Sequence, residues 1–247
     1  MVDPINRRSV VDEIADRIRR QILEGAIRPG DRLPAERDIA LEMGVNRLTL
    51  RQAFARLAAQ GLIRVRQGDG TRATDFRRHG TLEVLLDLLG SVRGSPRVLT
   101  VARDVLELRR NAAADVSALA AERGTTDDFD AIGRSVDALA SLLARAAPRR
   151  DVERAEVEIS RAVVRASGNL AYELLLNTVH RLSEALPSID HLAPIPPDLL
   201  VAGYRSLLAL LRARDADGAH RATVEATRVF DDALLEHLRA TAGGRES

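Results

Sequence analysis

A chain of 247 residues without a single cysteine forms no disulfide, no thiolate metal site and no cysteine nucleophile. Apolar residues make up 45% of it but aromatics only 2%, so its core must be built from Leu, Val, Ile and Ala, which suits packed helices better than a sheet sandwich. Net charge is +1, and Arg, Asp or Glu interrupts every Leu-rich stretch within a few residues, so neither a secretory leader nor a membrane span is expected, and a soluble, cytoplasmic protein is. All 37 basic residues are arginine. Residues 1–76 hold 14 of them against 11 Asp plus Glu, a balance of +3, and the remainder holds 23 against 25, a balance of −2. That bias is compatible with a basic surface on the first part without establishing one.

Val11, Ile14, Ala15, Ile18 and Ile22 recur at helical spacing, which predicts an amphipathic helix from about Ser9 to Glu24, stopped by Gly25. Pro29-Gly30 marks a turn, and Ala35 to Met43 reads as a second helix with Ile39, Ala40 and Met43 inward. Gly44 ends it. Asn46 is suited to cap a third helix, whose buried stripe is Leu50, Phe54, Leu57 and Ala58 and whose first turns project Arg47, Thr49 and Arg51. Beyond Gly61, alternation over Leu62 to Arg66, a Gly68-Asp69-Gly70 tip and a return over Thr71 to Thr74 predict a hairpin.

Two short helices, a tight turn and a hairpin form a winged helix-turn-helix. Side chains at the start of its third helix are those that enter a major groove, and arginine there can grip guanine O6 and N7 with two donors. Arg66 and Gln67 stand where the hairpin can meet phosphate or the minor groove, while Asp69 at the tip runs against the electrostatics.

The runs Leu-Pro-Ala-Glu-Arg (33–37), Gly-Val-Asn-Arg-Leu-Thr-Leu-Arg (44–51), Ala-Arg-Leu-Ala-Ala-Gln-Gly-Leu-Ile (55–63) and Gly-Asp-Gly-Thr (68–71) resemble the N-terminal domain of GntR-family bacterial transcription regulators. The resemblance implies that Arg37, Arg47 and Arg51 contact DNA, that Asn46 and Thr49 make polar phosphate contacts, and that Gln67 with Gly68 enters the minor groove. Leu48 replaces a more usual polar residue and is expected against a thymine methyl or a sugar.

From residue 77 onward helical periodicity dominates. Segments from about Thr81 to Val92, Thr100 to Glu122, Thr126 to Ala146, Arg150 to Ala166, Leu170 to Leu186, Asp198 to Ala213 and Asp215 to Ala240 predict a bundle of about seven antiparallel helices. The breaks are Gly94-Ser95-Pro96, Gly124, Pro148, Ser167-Gly168-Asn169 and the stretch from Pro187 to Pro197. The expected organisation is a DNA-binding domain over 1–76 and an all-helical effector-binding and dimerisation domain over 77–247, mainly α with a small β wing.

Glu107-Leu108-Arg109-Arg110, Arg165 to Asn169 and Tyr204 to Asp215 resemble the ligand-sensing domain of the FadR branch of the same family. This implies a homodimer and a small-molecule effector. Many such domains hold a metal through one carboxylate and three histidines. The matching positions here are Glu156, Ser160, Tyr204 and Ala226, a set too poor in imidazole for a transition metal, so none is expected. His79, His180, His191, His220 and His237 are too scattered to restore a site. The acyl-CoA sensors of this branch also lack metal ligands, so long-chain acyl-CoA is the first effector expectation, with Arg109, Arg161 and Tyr204 as candidate contacts and a small organic acid as the alternative. A rival from another class, an all-helical enzyme using Glu156, finds no nucleophile-base pair or phosphate-cradling glycine loop in its support. A ligand-free architectural DNA binder is a third reading.

Overall fold

The computed structural model describes residues 10–66, 68–91, 97–185 and 196–243. Gln67, the Gly94-Ser95-Pro96 break, His191 and most of the Pro187 to Pro197 stretch lie outside them. The chain divides into two compact units, Met1–Arg93 and Gly94–Ser247.

The first unit comprises α1 (Val10–Leu23), α2 (Glu36–Glu42), α3 (Arg47–Ala59), β1 (Ile63–Arg66), β2 (Gly70–Ala73), α4 (Phe76–His79) and α5 (Val84–Ser91). Its core joins Ile14, Ile18 and Ile22 of α1, Ile39 and Ala40 of α2, and Leu50, Ala53, Phe54 and Leu57 of α3. Ala53 completes the α3 stripe; Ala58, expected in it, is exposed, because Leu50, Ala53, Phe54 and Leu57 already close the 3.6-residue repeat. β1 and β2 pair antiparallel, with Arg64 opposite Arg72 and Arg66 opposite Gly70. The segment read as a plain turn adds a third rung to this sheet. Arg32 bridges Arg72, and Leu33 N–H donates to Thr71 O at 2.9 Å while Ala73 N–H donates to Asp31 O at 2.9 Å. Pro34 confines the pairing to that short piece.

Gly61 holds the turn between α3 and the wing at φ +70°, and a Cβ there would sit 1.8 Å from the carbonyl oxygen of His79. The close approach brings α4 and then α5 back onto the head, where Val84 joins the core and Leu88 packs against it. The unit boundary therefore falls beyond α5 rather than at Phe76, and the segment counted as the first helix of the bundle belongs with the head.

The second unit holds six helices among the described residues: α6 (Arg97–Arg123), α7 (Thr126–Ala144), α8 (Arg149–Ala166), α9 (Leu170–Ala185), α10 (Pro197–Arg212) and α11 (Ala216–Gly243). The two longest, α6 and α11, form the most extensive pair, with α7 packed on α8 and α10. Val116, Phe129, Ile132, Leu139, Ile159 and Leu211 make its aliphatic centre. Thr125 and Asp128 close a reciprocal capping box on α7. Arg214 turns the chain from α10 into α11 at φ 59°, held there because its guanidinium lies 5.0 Å from the Phe129 ring and donates to Ala121 O at 3.0 Å. No helix among the described residues is long and apolar enough to cross a membrane.

Candidate DNA interface and buried polar cluster

Asn46 caps α3 as its sequence position dictates. Its Oδ1 accepts from Thr49 N–H at 2.8 Å and from the Thr49 hydroxyl at 2.9 Å, so the two polar side chains expected to touch phosphate are locked to each other at the start of the helix. Between them Arg47 is exposed and makes no hydrogen bond or ion pair with any described residue, and Leu48 is 68% exposed.

Arg51, one turn later, is exposed but not free: its Nε donates to Glu36 Oε2 at 2.8 Å, a bond that holds the guanidinium firmly in its charged form and ties α3 to the first turn of α2. Arg37 lies on α2 with its Nε 3.2 Å from the carboxylate of neighbouring Asp38, both side chains well exposed. Arg37, Arg47 and Arg51 thus all face solvent. Gly68 takes φ +85° at the wing tip, and Arg66 is exposed on β1. Asp69, against expectation for a DNA-facing tip, has a local partner. Arg72 grips both its oxygens at 3.2 and 3.1 Å and reaches Gly30 O at 3.1 Å, and this pairing holds the carboxyl below the usual range. Glu36 escaped sequence reading because its partner lies 15 residues away on another helix, and Arg72 because it reaches back across the hairpin tip.

In the second unit two consecutive arginines of α6 converge on one carboxylate of α11. Arg109 donates to Asp231 at 2.7 Å and Arg110 at 2.9 Å, and the Asp231 side chain is 1% exposed. Burial raises the Asp231 pKa and the two guanidinium groups oppose that rise. Arg109 also lies 4.9 Å from the Phe230 ring, and its Nε is buried without an acceptor among the described residues. Nearby Tyr204 donates to Glu156 Oε1 at 3.3 Å. Burial pushes both groups up, Glu156 towards its neutral acid and Tyr204 further from ionising, and the charge of Arg109 reaches both. Arg109 and Tyr204 therefore share one polar neighbourhood. Arg161 does not join it: its contacts are Asn177 at 3.4 Å and Glu158 at 3.7 Å.

Of the positions matched to metal ligands, Glu156 and Tyr204 bond to each other, the Ser160 hydroxyl donates to the Glu156 backbone oxygen at 3.1 Å, and Ala226 is exposed. One carboxylate with two hydroxyls does not fit a transition-metal ion. The inward positions of α11 are Thr223, Thr227, Phe230 and Asp231, and a lone carboxylate falling in the stripe that continues through Leu234, Leu235 and Leu238 was the signal that could have found the cluster. Thr223 bonds the buried Ser117 of α6 at 2.9 Å and extends the polar seam between these helices.

Comparison with known proteins agrees with this geometry. The family of bacterial regulatory proteins named gntR matches over residues 10–72 and the FCD domain over residues 104–229. The chain is 31% identical to the HTH-type transcriptional regulator Mce2R of Mycobacterium tuberculosis across 96% of both chains, and 33% identical to the HTH-type regulator Rv0494 of the same species across 92% of this chain and 93% of that one. The solved structure of Lar, which controls expression of the Listeria monocytogenes agr system, shares the fold with a TM-score of 0.50 at 14% identity, over 97% of this chain and 99% of that one. A winged helix-turn-helix head with an exposed arginine-bearing α3, joined in one chain to an all-helical FCD domain, places this protein in the GntR family of DNA-binding transcription regulators rather than among enzymes.

Proposed function

We propose that the chain binds a two-fold operator as a homodimer and that a small organic anion, seated against Arg109 and Tyr204, sets its operator affinity. The observation that carries the effector half is the Nε–H of Arg109, buried without an acceptor. Such an unpaired donor costs about 1–3 kcal/mol, which a carboxylate oxygen arriving beside it offsets. The Tyr204 hydroxyl, whose proton goes to Glu156, offers its oxygen as an acceptor for a hydroxyl on the same molecule. The effector acts on DNA binding only through its preference for one arrangement of the reading heads over another.

Long-chain acyl-CoA, the effector that resemblance to the FadR branch suggests, calls for an apolar channel beside the cation. Arg109 is paired instead with Asp231 beside the Phe230 ring, and its charge reaches Glu156 and Tyr204, which favours a short hydroxy or keto acid. Arg161, paired with Glu158 and Asn177, takes no part in this contact.

Thermal unfolding with saturating glycolate, lactate, pyruvate, citrate or palmitoyl-CoA tests the reading, because a ligand that binds only the folded state raises the midpoint. A rise with a short acid, abolished in Arg109→Ala and reduced in Tyr204→Phe but kept in Arg161→Ala, is the expected result. A rise with palmitoyl-CoA alone moves the assignment to acyl-CoA, and no rise with any of them overturns the effector reading. Sedimentation of the free chain at monomer mass and micromolar concentration would refute the dimer.

A further inference from the structure

The wing carries a second arginine surface that base reading by α3 does not use. Residues paired directly across a sheet share a face, and alternate residues along a strand do the same. Pairing of Arg64 with Arg72 and bridging of Arg72 with Arg32 therefore align three arginines in a row across three backbone segments, and Arg66 follows on the same face two residues beyond Arg64. The opposite face bears Leu33, Ile63, Thr71 and Ala73, which are buried, and Val65, which is half exposed. The four arginines are all exposed.

Their states differ. Arg72 is committed to Asp69 and to the Gly30 carbonyl. Arg32, Arg64 and Arg66 make no hydrogen bond or ion pair with any described residue. The Arg32 guanidinium lies over Gly70, where a Cβ would come within 3.1 Å of its Nε. Charges on Arg32 and Arg66 both reach the Asp69 carboxylate. One carboxylate thus offsets one of four positive charges.

We propose that this outer face of the wing binds the phosphate backbone of duplex DNA independently of sequence, through Arg32, Arg64 and Arg66, and that the Asp69–Arg72 pair restrains it so that non-operator DNA is held weakly. The proposal rests on the reading of the chain as a DNA-binding regulator. Charge complementarity selects the occupant. A row of three paired positions spans about 10 Å of backbone, a length over which a duplex presents roughly six charges. Asp69 at the tip, unfavourable for raw affinity, becomes intelligible: specificity is the ratio of operator to non-operator binding, and lowering the second raises it.

Fluorescence anisotropy of the full chain with a labelled non-operator duplex, titrated between about 50 and 200 mM salt, tests this. Each phosphate contact contributes about 0.9 to the slope of log affinity against log salt. Arg32→Ala and Arg64→Ala are each expected to flatten the slope by about that amount, so the affinity loss over this salt range shrinks by roughly 3.5-fold per variant. Asp69→Asn is expected to steepen the slope and tighten non-operator binding about threefold, while Asp69→Glu, which keeps the charge, restores the wild-type slope. Unchanged slopes in both arginine variants overturn the surface, and weaker non-operator binding by Asp69→Asn overturns the restraint. A wild-type chain that binds no duplex at any salt overturns the regulator reading itself, and Arg47→Ala, which alters base preference rather than slope, keeps the two surfaces apart.

Discussion

Arg109 on α6 and Asp231 on α11 stand 122 residues apart in sequence and meet at 2.7 Å, with the carboxylate 1% exposed. Arg110 takes the other oxygen at 2.9 Å. A buried carboxylate shared by two guanidinium groups fixes the register of the two longest helices of the FCD domain, because a shift of either by one turn would strand three charges. Asp231→Ala leaves both arginines without their counter-ion and is expected to destabilise the domain by roughly 3 kcal/mol. Urea unfolding followed by helical circular dichroism checks this, and a loss below about 1 kcal/mol would mean that water already reaches the pair.

Glu36 holds Arg51 by a single bond of 2.8 Å at an exposed site. Surface pairs of this kind contribute little to stability, so its value lies in aiming the guanidinium. Arg47→Ala is expected to cost about 1–3 kcal/mol of operator binding and to relax base preference at one position. Glu36→Ala should leave the melting midpoint nearly unchanged while lowering operator discrimination by about 0.5–1.5 kcal/mol. Binding titrations against an operator and its single-base variants separate the two effects.

Gly61→Ala is expected to damage the head out of proportion to the one methyl group added. The position has φ +70°, and the new Cβ would lie 1.8 Å from His79 O, a backbone atom that cannot swing aside. Strain and forced separation together are expected to cost more than about 2 kcal/mol. Because this contact brings α4 and α5 back onto the head, hydrogen exchange at the α5 amides should accelerate along with the global loss.

How much of this was legible follows the range of the interactions. Ile14, Ile18 and Ile22 on one face, Asn46 before a helix and glycines around a hairpin are local patterns, and they located α1, α3 and the wing within a few residues. The rung formed by Arg32 and Leu33 was hidden because two or three residues between Gly30 and Pro34 carry no strand periodicity. Membership of α5 in the head was hidden because Val84 and Leu88 read the same whichever core they join. Arg109 was picked out and Asp231 was not, since nothing local in a helix announces a partner 122 residues away.

Asp87 on α5 gives the head a pH dependence of unusual sign for an ion-paired carboxylate. Its Oδ2 lies 3.0 Å from Arg19 Nε of α1, and Gln60 at the end of α3 donates to it at 3.3 Å. Burial nevertheless pushes its pKa up to about 6. Arg19 and Gln60 pull the other way, but Arg19 is shared with Asp16, and Asp16 and Glu83 both add repulsion. The folded head therefore binds a proton more tightly than the unfolded chain does. This contribution is fully present below about pH 4 and is lost as the pH rises through about 6, so the stability of the head falls across that window by up to roughly 3 kcal/mol and levels off above it. Asp87→Asn mimics the protonated form and should remove the slope. Compared with wild type by urea unfolding, it is expected to be more stable at pH 7, with the gap narrowing as the pH falls and closing below about pH 4, a comparison within one pair that cancels the contributions of Glu156 and Asp231. An Asn variant less stable than wild type at pH 7, with the deficit closing towards low pH, would show that the charge of Arg19, rather than burial, governs this carboxylate.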